Sequence, residues 1–396
     1  MQPNYRKTLV ACYLGFITQA IAANFMPLLF LTFHDTYQIS WGQIGLLPFA
    51  FFVTQMIVDA LCARYVDKIG YRRAVVASQI AAAAGLLGLA ILPDLTPDPF
   101  AGIILCTITY AIGSGLIEVL CSPIVEACPF EHKEAIMSLL HSFYCWGAVG
   151  TVLLSTAFFA VFGVAHWRIL ACIWALIPLV NVVNFAKCPI VPLVEEGKGM
   201  SIGQLCKSPL FWVAVMLMAC SGASELSMAQ WASAYAESAL GLSKTMGDLA
   251  GPCLFAITMG ISRVLYGKYG EKVELSRFML GSGLLCLGCY VLASMTAEPV
   301  WGLAGCIACG FSVGIMWPGT LSITSRRMPQ GGTALFALLA MAGDLGGAFG
   351  PSLVGHLTQL ADNDLRIGLR VGCLFPLCLI IGLMAMQQLS RKKRSG

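Results

Sequence analysis

Twelve times along this chain a run of about 20 or more residues is apolar enough to cross the hydrocarbon core of a bilayer as a helix. The runs span residues 8–33, 42–64, 73–93, 100–127, 135–162 and 165–187, then 208–236, 246–267, 277–295, 299–325, 332–358 and 366–388. Inside lipid each backbone N–H and C=O must find a partner within the protein, which leaves helices or closed barrels as spanning structures. Runs of this length predict helices, hence an all-α polytopic membrane protein. Composition agrees: 58% of residues are hydrophobic, 11% are charged, and the mean hydropathy is +0.80.

The chain also reads twice. Gly147-Ala148-Val149-Gly150-Thr151 returns about two hundred residues later as Gly347-Ala348-Phe349-Gly350-Pro351, and internal repeats in an apolar chain are the mark of transporters built from two similar halves. Ile39-Ser40 aligns with Leu242-Ser243, and Asp67-Lys68 with Glu271-Lys272, at nearly the same offset. The twelve runs divide six and six around a polar linker. The expected organisation is therefore an N-terminal six-helix bundle over 1–187, a linker over 188–207 and a C-terminal bundle over 208–396, with the binding site where the halves meet. With a cytoplasmic N-terminus, all of the 24 Lys and Arg residues except Arg168, Lys244, Arg366 and Arg370 fall on the cytoplasmic side, Arg263 among them. The positive-inside rule then places both termini and the linker in the cytoplasm of a multi-pass cell-membrane (inner-membrane) protein.

Other classes fit poorly. The net charge of +4 is spent on topology, so no nucleic-acid partner is expected. Arg6-Lys7 and the following apolar run imitate a cleavable signal peptide, but the run continues to Phe33 and the repeat needs this segment. Cys286-x-x-Cys289 and Cys306-x-x-Cys309 imitate a zinc ribbon, yet both pairs lie inside apolar runs, where cysteine serves as a small hydrophobic residue. No metal site, no cofactor and no enzymatic activity are expected, and the chain carries no phosphate-binding loop of its own.

The turn Ala63-Arg64-Tyr65-Val66-Asp67-Lys68-Ile69-Gly70-Tyr71-Arg72-Arg73 resembles the G-x-x-x-D-R-x-G-R-R signature of the major facilitator superfamily, with Asp67, Gly70, Arg72 and Arg73 in place and Lys68 substituting an arginine. The resemblance implies two pseudo-symmetric six-helix bundles working by alternating access. It also implies that Asp67, Lys68, Gly70, Arg72 and Arg73 belong to a cytoplasmic gate, and Asp59, two turns earlier, can belong to the same network. Gly267-Lys268-Tyr269-Gly270-Glu271-Lys272 is a weaker second copy. Within the superfamily, three patches are similar to the fucose–galactose–glucose symporter group: Gly113 to Pro123 around Glu118, Leu140-His141 followed by Gly147-Ala148, and Gly222-Ala223-Ser224-Glu225 followed by Trp231 and Tyr235. Ser122 and His141 stand where that group has asparagine.

An acid within a membrane span is costly unless it faces protein or water, which makes it a functional candidate. Glu118, Glu225 and Asp344 sit near mid-run, with no Lys or Arg expected at the same depth, so each is a candidate site for a coupling cation, H⁺ or Na⁺. Asp344 lies among glycines whose spacing equally suits helix packing. His141 can relay a proton to Glu118 or bond a solute hydroxyl. Gln19, Asn24, His141, Glu225, Gln230, Trp231 and Trp317 form the candidate solute-binding set, because amides bind hydroxyl pairs and indoles cover the apolar face of a sugar ring. These features lead to the expectation of a monomeric, cation-coupled symporter, with H⁺ as the cation and a small hydrophilic solute such as a monosaccharide. A proton-coupled exporter of drugs or metabolites is the alternative reading.

Overall fold

The computed structural model describes residues 4–191, 193, 199–240, 251, 253–296, 298–361 and 365–395. Among them there is no strand, and twelve long helical segments succeed one another. They are α1 (Tyr5–Asn24), α2 (Trp41–Ile69), α3 (Tyr71–Leu89), α4 (Pro99–Ala127), α5 (Lys133–Phe162), α6 (Trp167–Lys187), α7 (Pro209–Leu240), α8 (Leu254–Tyr269), α9 (Leu275–Met295), α10 in two pieces (Pro299–Val313 and Met316–Arg327), α11 (Gly332–Leu360) and α12 in two pieces (Leu365–Gly372 and Leu374–Ser395). Ten segments among the described residues are long and apolar enough to cross a membrane unaided. The other two are α3, which opens on Arg72 and Arg73, and α8, which carries Arg263 and Lys268 in its 16 described residues. The all-α polytopic architecture expected from the apolar runs is the one observed.

Local chemistry sets the helix ends. Ser40 caps α2: its hydroxyl accepts from the Gln43 amide N–H, and the Gln43 side chain accepts from the Ser40 N–H in return. The apolar run ends near residue 64, but the helix continues to Ile69, since Arg64 and Lys68 are good helix formers with exposed side chains. What stops it is Gly70, held at φ +89°, a conformation that strains any residue with a Cβ. The aligned Leu242-Ser243 lies outside the described residues.

The helices gather into two compact units. One comprises Met1–Glu131, Phe143–Gly199 and Gly332–Ala337; the other comprises His132–Ser142, Met200–Gly331 and Leu338–Gly396. The sequence repeat has the same packing role in each. In the first unit a Cβ on Gly147 of α5 would stand 2.8 Å from Ala20 Cβ and 3.1 Å from Ile17 Cα on α1. In the second, one on Gly347 of α11 would run into Leu226 on α7. Small residues at these crossings let helices approach closely, which drives association where lipid removes the hydrophobic incentive. The cysteine pairs of α9 and α10 belong to the second unit, with Cys286 and Cys309 sulfurs in buried contact at 3.8 Å.

The first unit holds an apolar cluster that includes Phe25, Leu29, Phe33, Tyr110, Trp167 and Trp174. Beside it a polar triad ties three segments. Tyr37 donates to Asp94 at 2.7 Å, and Arg168 reaches Asp94 at 2.8 Å and the Tyr37 oxygen at 2.7 Å. The Tyr37 hydrogen bond, and next the Arg168 charge, hold the Asp94 carboxyl below its usual range. A depressed carboxylate stabilises the fold above its unfolded value of about 4 and loses that contribution as pH falls through its folded value. With both ionic partners substantially solvated, the contribution is roughly 0.2–1 kcal/mol. Asp94→Asn is therefore expected to lower the melting temperature slightly at neutral pH, with the difference from the parent closing below about pH 4. A gap that persists in acid would rule out the ionic contribution.

Candidate functional site

In the first unit, three helices converge on the acid of α4. Gln19 of α1 donates through Nε2 to Glu118 Oε2 at 2.8 Å, and Gln55 of α2 donates to the same oxygen at 2.6 Å. Both glutamines are buried, whereas Glu118 is only partly so. Amides are neutral, so the carboxylate is hydrogen-bonded while neither of these two donors balances its charge. Among the described residues, Gln19 Oε1 and Ser114 Oγ, one turn before Glu118, are buried without a hydrogen-bond partner. A cluster of this kind can bind a cation or proton and can accept hydrogen bonds from a solute. Gln55 escaped the sequence reading, although it lies one helical turn before Asp59 on the same face. Asn24 is less available: its amide donates to the Ala20 carbonyl of its own helix at 2.8 Å.

The α2–α3 turn is built differently from a simple ion-pair cluster. Thr333 of α11 donates to Asp67 Oδ1 at 2.8 Å and also meets the Tyr71 hydroxyl. Asp67 thus sits at the first turn of α11, where a helix N-terminus favours an anion. Arg72 turns away from it. The guanidinium donates to the carbonyls of Phe185, Ala186 and Cys188 at 2.7–2.9 Å, satisfying the acceptors that the end of α6 leaves open. Lys68 and Arg73 are exposed, and Asp59 is fully buried within α2, two turns from Asp67.

In the second unit the structure corrects the sequence reading. Arg263, counted above as a cytoplasmic anchor, is 3% exposed and lies beside Glu225, with Nη2 3.6 Å from Oε2. The acids therefore do not stand without a basic residue at their depth. Arg263 also donates through Nε to the Gly314 carbonyl at 2.7 Å and through Nη1 to the His141 carbonyl at 2.9 Å, while its own carbonyl accepts from Ser138. The Gly314 contact has a cause in sequence. Residue 318, which would supply the N–H to that carbonyl in a regular helix, is proline and has none. The helix breaks there, between Val313 and Met316, and the arginine supplies the missing donor. A proline four residues after Gly314, with one arginine inside the apolar run of α8, was the available signal.

The remaining candidates distribute as follows. Trp317, just past the break in α10, lays its ring against Gly343 of α11. Asp344, next along α11, has one carboxylate oxygen buried without a hydrogen-bond partner among the described residues. His141 is buried in the second unit, Gln230 is exposed, and the side chain of Trp231 lies outside the described residues.

No curated protein sequence matches this chain. Among solved structures, a variant of the fucose:proton symporter FucP from E. coli superposes with a TM-score of 0.80 at 14% identity, covering 96% of this chain and 98% of that one. The proton:xylose symporter XylE gives 0.77 at 13% identity over 97% and 95%, and the human organic anion transporter TETRAN gives 0.78 at 14% identity over 96% and 100%. Identities this low establish the shared fold. The sequence profile of the Major Facilitator Superfamily matches residues 11–351, most of the chain and both of its halves. Together with the twelve-helix architecture, this establishes that the chain belongs to the major facilitator superfamily.

Proposed function

We propose that the protein is a proton-coupled symporter that takes up a small hydrophilic solute, most simply a monosaccharide, by alternating access. The observation that carries this reading is Glu118 held by two neutral amides, Gln19 and Gln55. An amide N–H can donate to a carboxylate and to the carbonyl oxygen of a protonated acid alike, so these two hydrogen bonds survive a change of protonation state, as a coupling site requires. Gln19 Oε1 and Ser114 Oγ offer acceptors for solute hydroxyls beside it. The symporters FucP and XylE share the fold, and their named solutes are monosaccharides. The decisive measurement is uptake of labelled L-fucose, D-xylose and D-glucose into proteoliposomes with an acidic exterior, with lumenal pH followed by a trapped dye. Accumulation together with lumenal acidification is the expected result. Extrusion of cationic dyes without sugar-driven proton entry would instead favour the exporter.

Both termini and the 188–207 linker are proposed to be cytoplasmic. Reporter fusions after residues 199 and 395 should be active only in cytoplasmic form, and a periplasm-active fusion at the C-terminus would overturn the topology.

The Asp67 cluster is proposed to act as a gate. Replacing Asp67 by Asn weakens its hold on the first turn of α11 by about 1 kcal/mol, given how exposed the acid is. Spin labels flanking residues 67 and 333 should then report a broader, longer distance distribution and altered uptake. Unchanged distances and uptake would reduce the cluster to a topological anchor.

A further inference from the structure

We infer that Arg263 is a positioning residue that fixes Glu225 as a permanent acceptor for the solute, so that Glu225 belongs to recognition and the coupling cation is taken elsewhere. This rests on the symport reading and assigns a role within it.

A guanidinium keeps its proton under all working conditions, and a buried one needs an anion nearby. The carbonyls of Gly314 and His141 satisfy N–H groups of Arg263, but they carry no net charge. Glu225 supplies the anion at 3.6 Å. If Glu225 took up a proton in each cycle, this ion pair at a buried guanidinium would be broken in each cycle. The two amides on Glu118, by contrast, can serve its carboxylate and its protonated form alike.

Geometry then says what the carboxylate is free to do. At 3.6 Å the pair attracts without forming a hydrogen bond. Glu225 accepts none from any described residue, and its side chain remains 16% exposed while Arg263 is sealed. A carboxylate has about four acceptor positions. Its charge is thus fixed from one side while its acceptor positions are available to hydroxyl donors. Other titratable groups on the helices around it are His141 of α5, Tyr290 of α9, which donates to the Ser224 carbonyl at 2.8 Å, Asp344 of α11 and Cys378 of α12. None of these is a second fixed cation.

The same side chain organises a second recognition element. Arg263 supplies the donor that Pro318 lacks at the break in α10, and Trp317 is the second residue of the helix that resumes there. An indole and an anchored carboxylate together suit a ring with one apolar face and a hydroxylated edge.

The test uses the full-length protein in proteoliposomes and in detergent, with the three monosaccharides named above as probes. Glu225→Gln and Arg263→Gln should each raise the apparent KM for exchange by about 10- to 100-fold, the loss of a hydrogen bond to a charged group. The pH profile and the number of protons entering per sugar should stay those of the parent. Arg263→Lys, which keeps the charge, should recover part of the affinity. If a single variant fails to fold because a lone charge is left buried, the Glu225→Gln, Arg263→Gln double variant removes both charges, and it should fold and bind weakly. An unchanged KM with lost proton-driven accumulation in Glu225→Gln would overturn the assignment and make Glu225 the coupling site. Parent protein that binds none of the sugars would instead overturn the symport reading, and the inference with it.

Discussion

Replacing Glu118 by Gln is expected to abolish accumulation against a gradient while leaving exchange of labelled for unlabelled solute in place. Gln keeps the size and the hydrogen-bonding capacity of a protonated glutamate but cannot release a proton. The amides of Gln19 and Gln55, donating at 2.8 and 2.6 Å, can still meet the carbonyl oxygen of the new side chain, so the local packing survives. One unit of pH difference, worth about 1.4 kcal/mol, supports roughly tenfold accumulation in a one-to-one symporter. The variant should show none, and its exchange rate should lose the pH dependence of the parent. Continued accumulation would move coupling to Asp344 or Glu225. Loss of both binding and exchange would make Glu118 a ligand or a structural group.

The second large effect is structural. Gly346→Leu is expected to collapse folded yield, because even a Cβ at this position would stand 2.7 Å from the Ala219 carbonyl carbon of α7 and closer still to its oxygen. Backbone cannot yield as a side-chain tip can, so α7 and α11 would have to separate. Overpacking of a tight interface costs about 1–3 kcal/mol or more. The separation would also disturb Gly222, which packs against Gly343 and Gly347 three residues before Glu225. Gly150→Ala is the control, since a Cβ there meets nothing within 4 Å and the better helix propensity of Ala should leave stability unchanged or raised by up to about 1 kcal/mol. Equal yields of the two variants, measured by fluorescence-detected size exclusion, would show that the seam is looser than described.

These glycines show what was legible in the sequence and what was not. The apolar runs gave the helices, because bilayer thickness and backbone satisfaction leave few alternatives. The repeated glycines Gly147 and Gly347 proved to lie at a helix crossing in each unit, which the repeat alone did not reveal. Periodicity, in contrast, gives depth only to within a turn or two. Arg263 was therefore assigned to the aqueous side, although it turns inward to a carbonyl that Pro318 leaves without a donor. Gln55 was overlooked for a different reason. An isolated amide in an apolar run looks ordinary until three helices bring it onto one carboxylate. Asn24 is the opposite case, a polar side chain whose amide donates to its own helix. Arg72 was grouped with Asp67 through the signature both belong to, and its guanidinium caps the end of α6.

The break in α10 also constrains how this protein can diverge. Pro318 and Arg263 answer each other across two helices, one removing an N–H and the other supplying it to the same oxygen. A descendant that exchanged the proline for an ordinary residue would regain the helical donor and leave the arginine competing for an acceptor already in use. One that lost the arginine first would carry an unsatisfied carbonyl within the bilayer. Neither intermediate is neutral, so the two positions should change together or not at all along a lineage, as a pair inherited as one character.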